Sequence, residues 1–189
     1  MSAKIILLNG PSSVGKSTLA AALQANLAEP FWHFSIDHLR AAKVLPNARI
    51  ASGEFPWAEL RASFFEGFHR AIPALADAGN NLIIEHIVET AEWMKRLLLL
   101  LEHQDVFFVG LHCPLAELER RERVRGDRRM GEACADFAVT HTFGSYDFEI
   151  QTTLPVDVNA SAVMNAWHRR ARPSAFERML LELRIREQS

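Results

Sequence analysis

The sequence has few of the features typical of extracellular, metal-binding or membrane proteins. Its two cysteines, Cys113 and Cys134, are too few and too far apart for a metal-binding cluster, and we expect them to be reduced thiols. No apolar run has the length of a membrane span, and the short run at the N-terminus ends at Asn9, too soon for a signal peptide. The sequence therefore predicts a soluble cytoplasmic protein with no membrane partner.

An excess of charge of one sign is also missing. The 21 Lys+Arg and 23 Asp+Glu residues leave a formal net charge of −2, so no general basic field would attract nucleic acid. Internal repeats, low-complexity tracts and linkers are absent too. The 189 residues, 49% of them hydrophobic, are enough for one sizeable core, and a single domain over residues 1–189 is expected.

Strand and helix patterns alternate along the chain. This order is typical of α/β proteins, in which helices cover both faces of a parallel sheet. Residues 45–56, with two prolines and a glycine, are expected to be irregular, and a long helix is predicted over residues 57–78. The predicted strands span residues 4–8, 31–35, 82–84, 106–111 and 154–158.

The most specific motif is Gly-Pro-Ser-Ser-Val-Gly-Lys-Ser at residues 10–17, which fits the phosphate-loop pattern G-x-x-x-x-G-K-[ST]. An apolar strand precedes it and an amphipathic helix follows, as the motif requires; the alternative is a glycine-rich turn that only joins strand to helix. In a true phosphate loop, Lys16 contacts the β- and γ-phosphates of ATP and the Ser17 hydroxyl binds Mg²⁺. The predicted nucleotide-binding residues are Gly10, Pro11, Ser12, Ser13, Val14, Gly15, Lys16, Ser17 and Thr18.

Asp37 directly follows the second predicted strand. A carboxylate there can accept the proton of an acceptor hydroxyl and orient it toward the γ-phosphate, so Asp37 is the candidate catalytic base and a substrate contact. The alternative is that Asp37 caps the following helix, since aspartate is favoured at helix N-termini, and the two roles can coexist.

Glu85 and His86 end the third predicted strand. Glu85 could hold Mg²⁺ through water or bind the acceptor, and a surface carboxylate is the equal alternative. His86 is a second candidate for substrate contact. A lone histidine is more often packed or solvated, however, and this interpretation without a functional role is favoured.

Residues 120–129 form a strongly arginine-rich run in a mildly acidic chain. Arg121 and Arg125 are four residues apart and share a helix face, and Gly126 follows them as a hinge. Arginines on a mobile lid can neutralise the transferring phosphoryl group, although charged runs are usually solvated helix faces. Arg121, Arg125 and Arg128 are the catalytic candidates, on a lid over about residues 121–131.

Taken together, these motifs resemble the chloramphenicol phosphotransferase-like family of P-loop kinases. The stretches that carry the resemblance are IILLNGPSSVGKS (5–17), FSIDH (34–38), LIIEHIV (82–88), FFVGLHC (107–113) and RERVRGDR (121–128). The resemblance implies a five-stranded parallel sheet of the P-loop kinase type. It also implies that Lys16 and Ser17 bind ATP and Mg²⁺, that Asp37 is the base, and that Arg121, Arg125 and Arg128 are lid arginines.

The chain departs from the family at the acceptor end. Glu85-His86 replaces two aspartates, and residues 44–70, which should supply much of the acceptor pocket, match poorly. The five aromatic residues of that segment, beside three arginines, favour a neutral, partly apolar acceptor.

We therefore expect an enzyme that transfers the γ-phosphate of ATP to a hydroxyl of a small molecule such as chloramphenicol, as in antibiotic resistance. Two alternatives stay open at this point. One is a kinase of another small metabolite, such as a sugar acid, a shikimate-like acid or a nucleotide. The other is an ATP-binding regulator that transfers nothing.

Overall fold

The chain folds around a five-stranded parallel sheet. A computed structural model describes residues 3–125 and 131–188. The strands are β1 (Lys4–Asn9), β2 (Phe31–Ser35), β3 (Asn81–His86), β4 (Asp105–His112) and β5 (Phe148–Gln151). Their spatial order is β2-β3-β1-β4-β5, and every neighbouring pair is parallel. The predicted fold class is confirmed.

The described helices follow the predicted alternation with the strands. They are α1 (Lys16–Asn26), α2 (Ile36–Ala41), α3 (Asn47–Ala51), α4 (Trp57–Asp77), α5 (Ala91–Leu100), α6 (Leu115–Arg125), α7 (Glu132–Val139), α8 (Val156–His168) and α9 (Ala175–Gln188). The segment expected to be irregular thus contains the short helix α3. None of the helices in the described ranges is long and apolar enough to cross a membrane.

The central strand β1 shows why the sheet is covered on both faces. Successive side chains of a strand point to opposite faces, and β1 is apolar at both. Ile6 and Leu8 pack with α1 and α8, whereas Ile5 and Leu7 pack with α4 and α5. All four are fully buried, so two core layers meet at this strand.

The fifth strand was predicted in the wrong place. Residues 154–158 were expected to be a strand, but β5 lies earlier and Val156 already begins α8. Pro155 lacks an N–H and stands at the N-cap of α8, a position that suits proline better than a sheet ladder does. Leu154, Val156 and Val158 are exposed, so their alternating apolar pattern does not mark a buried face.

The strand order places the phosphate-loop sequence directly after the central strand β1, at the carboxyl ends of the strands. The connection from β1 leads to β2 on one side of the sheet, whereas the connection from β4 leads to β5 on the other. Ligands of open parallel sheets bind where the connections diverge, outside the carboxyl ends of the strands. The loop after β1 lies at this point.

Gly110 of β4 is required by close packing against Tyr146, the only tyrosine of the chain. A Cβ atom at Gly110 would lie 2.7 Å from Cδ2 of the Tyr146 ring. The ring is also packed against Phe108, with the two ring centroids 4.6 Å apart. Because the ring is packed against both Gly110 and Phe108, it cannot move away from an added Cβ atom without displacing core side chains.

We expect Gly110→Ala to lower the free energy of unfolding by about 1–3 kcal/mol, as overpacking of cores does. Urea unfolding of the purified variant measures this. Gly67→Ala is the matched control, because no atom lies within 4 Å of its added Cβ and Gly67 lies inside α4. Alanine should stabilise that helix by about 0.5–1 kcal/mol. Equal effects of the two substitutions would contradict the packing argument.

Candidate active site

The loop between β1 and α1 has the backbone geometry of an anion cradle. Gly15 has a φ of 101°, a left-handed conformation that favours glycine. At the other end, a Cβ on Gly10 would come within 2.8 Å of the Leu111 carbonyl oxygen. The N-terminus of α1 has no side-chain cap and no acidic residue in its first turn. Its backbone N–H groups are therefore suited to hold an anion.

The Lys16 side chain folds back over this loop. Its Nζ donates hydrogen bonds to the carbonyl oxygens of Gly10 at 2.7 Å and Pro11 at 2.9 Å. The ammonium group is thus held at the mouth of the cradle, where it can exchange carbonyl contacts for phosphate oxygens.

Ser17, at the start of α1, contacts Glu85, near the carboxyl end of β3. The Ser17 Oγ donates to Glu85 Oε2 at 2.9 Å, and the other carboxylate oxygen of Glu85 contacts His33 Nε2. The contact arises because Glu85, at the end of β3, is in register with Leu8 of β1, just before the loop. Glu85 is buried, so the alternative of a surface carboxylate is wrong.

Glu85 is held in its charged form. Burial favours the neutral carboxyl, but the His33 hydrogen bond, the Lys16 charge and the Ser17 hydrogen bond together outweigh it, so the pKa of Glu85 lies below its ordinary value. A charged carboxylate beside a hydroxyl is a set of hard oxygen ligands that suits Mg²⁺.

Asp37 lies in the first turn of α2 and faces the cavity above the loop. Ser35, not Asp37, is the N-cap of this helix, and its hydroxyl accepts a hydrogen bond from the His38 N–H at 3.2 Å. Arg40 lies one turn on, with Nη1 at 3.9 Å from Asp37 Oδ1. The capping alternative is therefore wrong, and the carboxylate is placed toward the cavity.

Arg121 is the one candidate lid arginine whose side chain the structure describes. Its guanidinium donates to the carbonyl oxygens of Val14 at 3.2 Å and Thr152 at 2.8 Å, and to Glu117 Oε1 at 2.8 Å. It thereby joins the phosphate loop to the segment after β5. Arg125 ends α6, and its side chain, like the whole of Arg128, lies outside the described residues.

A cavity of about 800 Å³ connects these groups. The part of the cavity on one side of the loop is lined by residues that follow β2 and β3, including Asp37 and Glu89. We call this part the β2–β3 side. Residues that follow β5 line the other, the β5 side, which includes Thr152 and Leu154. Of the segment 44–70, expected to supply much of an acceptor pocket, only Arg61 and Phe65 are among the described lining residues.

A family model described as chloramphenicol phosphotransferase-like protein matches residues 3–168. The chain belongs to the chloramphenicol phosphotransferase-like family. Two relatives, from the CDC 1551 / Oshkosh and H37Rv strains of Mycobacterium tuberculosis, bear provisional names as O-phosphotransferases. Each is 34% identical over 196 residues, covering 93% of this chain and 87% of the relative.

Solved kinase structures share the fold of this family member. The APS kinase CysC of Mycobacterium tuberculosis has a TM-score of 0.67 and 21% identity, covering 88% of this chain and 98% of its own. Shikimate kinase from Aquifex aeolicus has a TM-score of 0.56 and 15% identity, covering 87% and 96%. Family and fold together identify an enzyme of the phosphotransferase class, as the sequence predicted.

His86 of this family member is buried in an aromatic stack under the β2–β3 side. Its Nδ1 accepts from the Ile87 N–H at 2.8 Å, so its Nε2 carries the proton and donates to His69 Nε2 at 2.7 Å. The ring stacks on Phe65, and Trp93 lies beside both histidines. Both ring nitrogens of His86 are thus used within the protein, which supports the packing role; substrate contact stays a prediction.

Asn9 and Asp136 were missed by the sequence reasoning. Asp136 Oδ2, on α7, accepts a hydrogen bond from the Ser12 N–H of the phosphate loop at 2.9 Å. The buried Asn9 side chain donates to the Thr140 carbonyl and the Tyr146 hydroxyl and accepts from the Val88 N–H. A polar residue at the end of an otherwise apolar strand was the available signal for Asn9.

The buried histidine pair predicts acid sensitivity of the fold. Burial lowers the pKa of His69 from 6.5 to about 4, so between these pH values the unfolded chain binds more protons than the folded chain. We expect the free energy of unfolding to fall as the pH drops through this interval. His69→Gln keeps a hydrogen-bond acceptor for His86 and should make that fall shallower in urea unfolding at several pH values. His103→Gln, at an exposed site, is the control; an unchanged slope for His69→Gln would refute the assignment.

Proposed function

We propose that this enzyme transfers the γ-phosphate of ATP to a hydroxyl group of a small molecule, with a chloramphenicol-like compound as the candidate acceptor. The observation that carries the proposal is that Asp37 faces the same cavity as an intact phosphate loop. Phosphoryl transfer needs a held triphosphate and an oriented hydroxyl, and the two sides of the cavity meet these needs separately.

The phosphates of ATP would lie in the cradle of residues 10–18. Lys16 and the N-terminus of α1 supply positive charge there. The base and ribose would extend over the β5 side, between Arg121 and the segment of Thr152 and Leu154. This direction follows because the γ-phosphate has to point toward Asp37, on the opposite side.

Mg²⁺ would be held by the Ser17 hydroxyl and by Glu85, directly or through water. The pair fits the ion, since a buried carboxylate in its charged form already lies 2.9 Å from the hydroxyl. When bound, Mg²⁺ would supply positive charge at the phosphate oxygens. His33, on the second carboxylate oxygen, orients Glu85 toward Ser17.

Asp37 would act as the general base. Its carboxylate takes the proton of the acceptor hydroxyl, whose oxygen forms a bond to the γ-phosphorus as the bond from that phosphorus to the bridging β–γ oxygen breaks. The products are the phosphorylated acceptor and ADP. Arg121, Arg125 and Arg128 are proposed to stabilise the charge on the transferring group from a lid over residues 121–131.

The acceptor would occupy the β2–β3 side. Ile36, Ile87 and the Phe65 ring provide apolar surface there, beside the polar groups of Asp37 and Glu89. A partly apolar compound with hydroxyl groups fits this lining, and chloramphenicol is one such compound. We place the enzyme in the cytoplasm, where ATP is abundant.

Asp37→Asn should lower kcat by about 10²–10⁴-fold, the usual contribution of a general base. ATP affinity, measured by calorimetry, should change little, because Asp37 lies on the opposite side from the base of ATP. Asp77→Asn, at the far end of α4, is the matched control and should keep full activity. Full phosphoryl transfer by Asp37→Asn would exclude this residue as the base.

The acceptor is found by screening ADP formation with Mg²⁺ and ATP over antibiotics and hydroxyl metabolites. We expect acceptor-dependent ADP release that requires Lys16 and is lost in Lys16→Met. Tight ATP binding with no ADP formation over the whole panel would instead support the regulatory alternative.

A further inference from the structure

We propose that Glu89, paired with Arg61, selects acceptors without negative charge, so that the enzyme rejects carboxylate- and phosphate-bearing alcohols. This inference rests on the proposed phosphotransferase function. It adds the charge class of the acceptor and the residue that sets it.

The Arg61–Glu89 pair is built into the wall of the cavity. Arg61 Nη2 lies 2.5 Å from Glu89 Oε2, and both side chains line the β2–β3 side. The guanidinium carbon also lies over two aromatic rings, 4.9 Å from the centroid of Phe65 and 5.0 Å from that of Trp93. The arginine is therefore held in one place by a carboxylate and two rings. About a third of each side chain stays exposed, so a ligand can reach both (38% for Arg61 and 31% for Glu89).

The positive charge of Arg61 is already balanced by the Glu89 carboxylate. An anionic acceptor would have to displace Glu89 from the guanidinium or lie beside it, and like charges at close range repel. Burial raises the pKa of Glu89, with the Arg61 charge opposing it, which shows a setting of reduced solvation where such repulsion is stronger.

The other described charges on this side do not favour an anion either. Arg40 lies beside Asp37 and near the ring of Trp57, and the Asp136 carboxylate is close enough to act on Glu89. Among the described lining residues that end or follow β2 and β3, the acidic Asp37, Glu85 and Glu89 outnumber the basic Arg40 and Arg61. An uncharged acceptor avoids this repulsion and can use Glu89 as hydrogen-bond acceptor and Arg61 as donor at once.

The arginines of the segment 44–70 are paired in the same way. Arg49 pairs with Glu54 and Arg70 with Glu66, so each of the three arginines there has a carboxylate partner. The number of basic residues in this segment is thus no measure of its affinity for acids.

The test compares uncharged and anionic probes. Chloramphenicol, glucose and thymidine are set against shikimate, gluconate and thymidine 5′-monophosphate, with Kd by calorimetry and kcat/KM for ADP formation. We expect wild type to bind at least one uncharged probe tenfold more tightly than any anionic one. Glu89→Gln removes the charge but keeps the shape, and should reduce that ratio at least tenfold by freeing Arg61 for anions.

Arg61→Gln and Glu54→Gln complete the design. Arg61→Gln should weaken the binding of the uncharged probe at least tenfold and should not tighten the binding of any anionic probe, because Glu89 is left unpaired. Glu54→Gln breaks a comparable pair, since Arg49 also lies over a ring, 4.0 Å from the centroid of Phe55, but this pair is not among the described lining residues. The ratio of affinities for uncharged and anionic probes in Glu54→Gln should stay within twofold of that of wild type. Thermal unfolding checks that each variant is folded.

Three results would overturn the proposal: tighter binding of an anionic probe by wild type, an unchanged ratio in Glu89→Gln, or no binding of any of the six probes. The proposed function fails separately. If uncharged probes bind selectively but cause no ADP formation, charge selection by Glu89 stands and phosphoryl transfer to these compounds does not.

Discussion

The buried amide of Asn9 is the contact on which the arrangement of the site depends. It stands at the end of β1, directly before the phosphate loop, and joins three segments that are distant in the chain. These are the start of the β3–α5 connection at Val88, the end of α7 at Thr140, and Tyr146 before β5. A buried amide with all of these partners is stable only in one arrangement, because each missing partner would leave a polar group without water. The position of the loop is thus set by hydrogen bonds that come from both halves of the sheet.

Charged groups in the cavity, like the Asn9 amide, are held by hydrogen-bond partners within the protein. Three ionised groups that the catalytic proposal uses are already placed against partners: Lys16 on loop carbonyls, Glu85 between Ser17 and His33, and Arg121 on Val14 and Thr152. Pre-placed dipoles and charges need little reorganisation when a triphosphate arrives. The Arg61–Glu89 pair extends this arrangement to the acceptor, where the pairing limits which charge can enter.

The strand–loop–helix arrangement around residues 10–17 could be predicted from the sequence, because the phosphate-loop motif has fixed spacing and requires that context. The β1 and β2 positions were predicted well for the same reason: each is a short apolar or aromatic run with clear ends. Residues 154–158 were assigned wrongly because an alternating apolar pattern also occurs at the exposed start of a helix after Pro155. The contact of Ser17 with Glu85 could not be predicted, since it depends on the register of β1 with β3. The pairing of Arg61 with Glu89 likewise needs the packing of α4 against the end of β3.

Tyr146 gives this architecture a built-in spectroscopic reporter. Because Tyr146 is the only tyrosine of the chain, all tyrosine ring signals in a spectrum come from this residue. Its hydroxyl lies between Asn9 and His141. Burial raises the pKa of this phenol to about 12, so the hydroxyl stays protonated at neutral pH. A single ring label would therefore report, without ambiguity of assignment, any rearrangement that reaches the base of the phosphate loop.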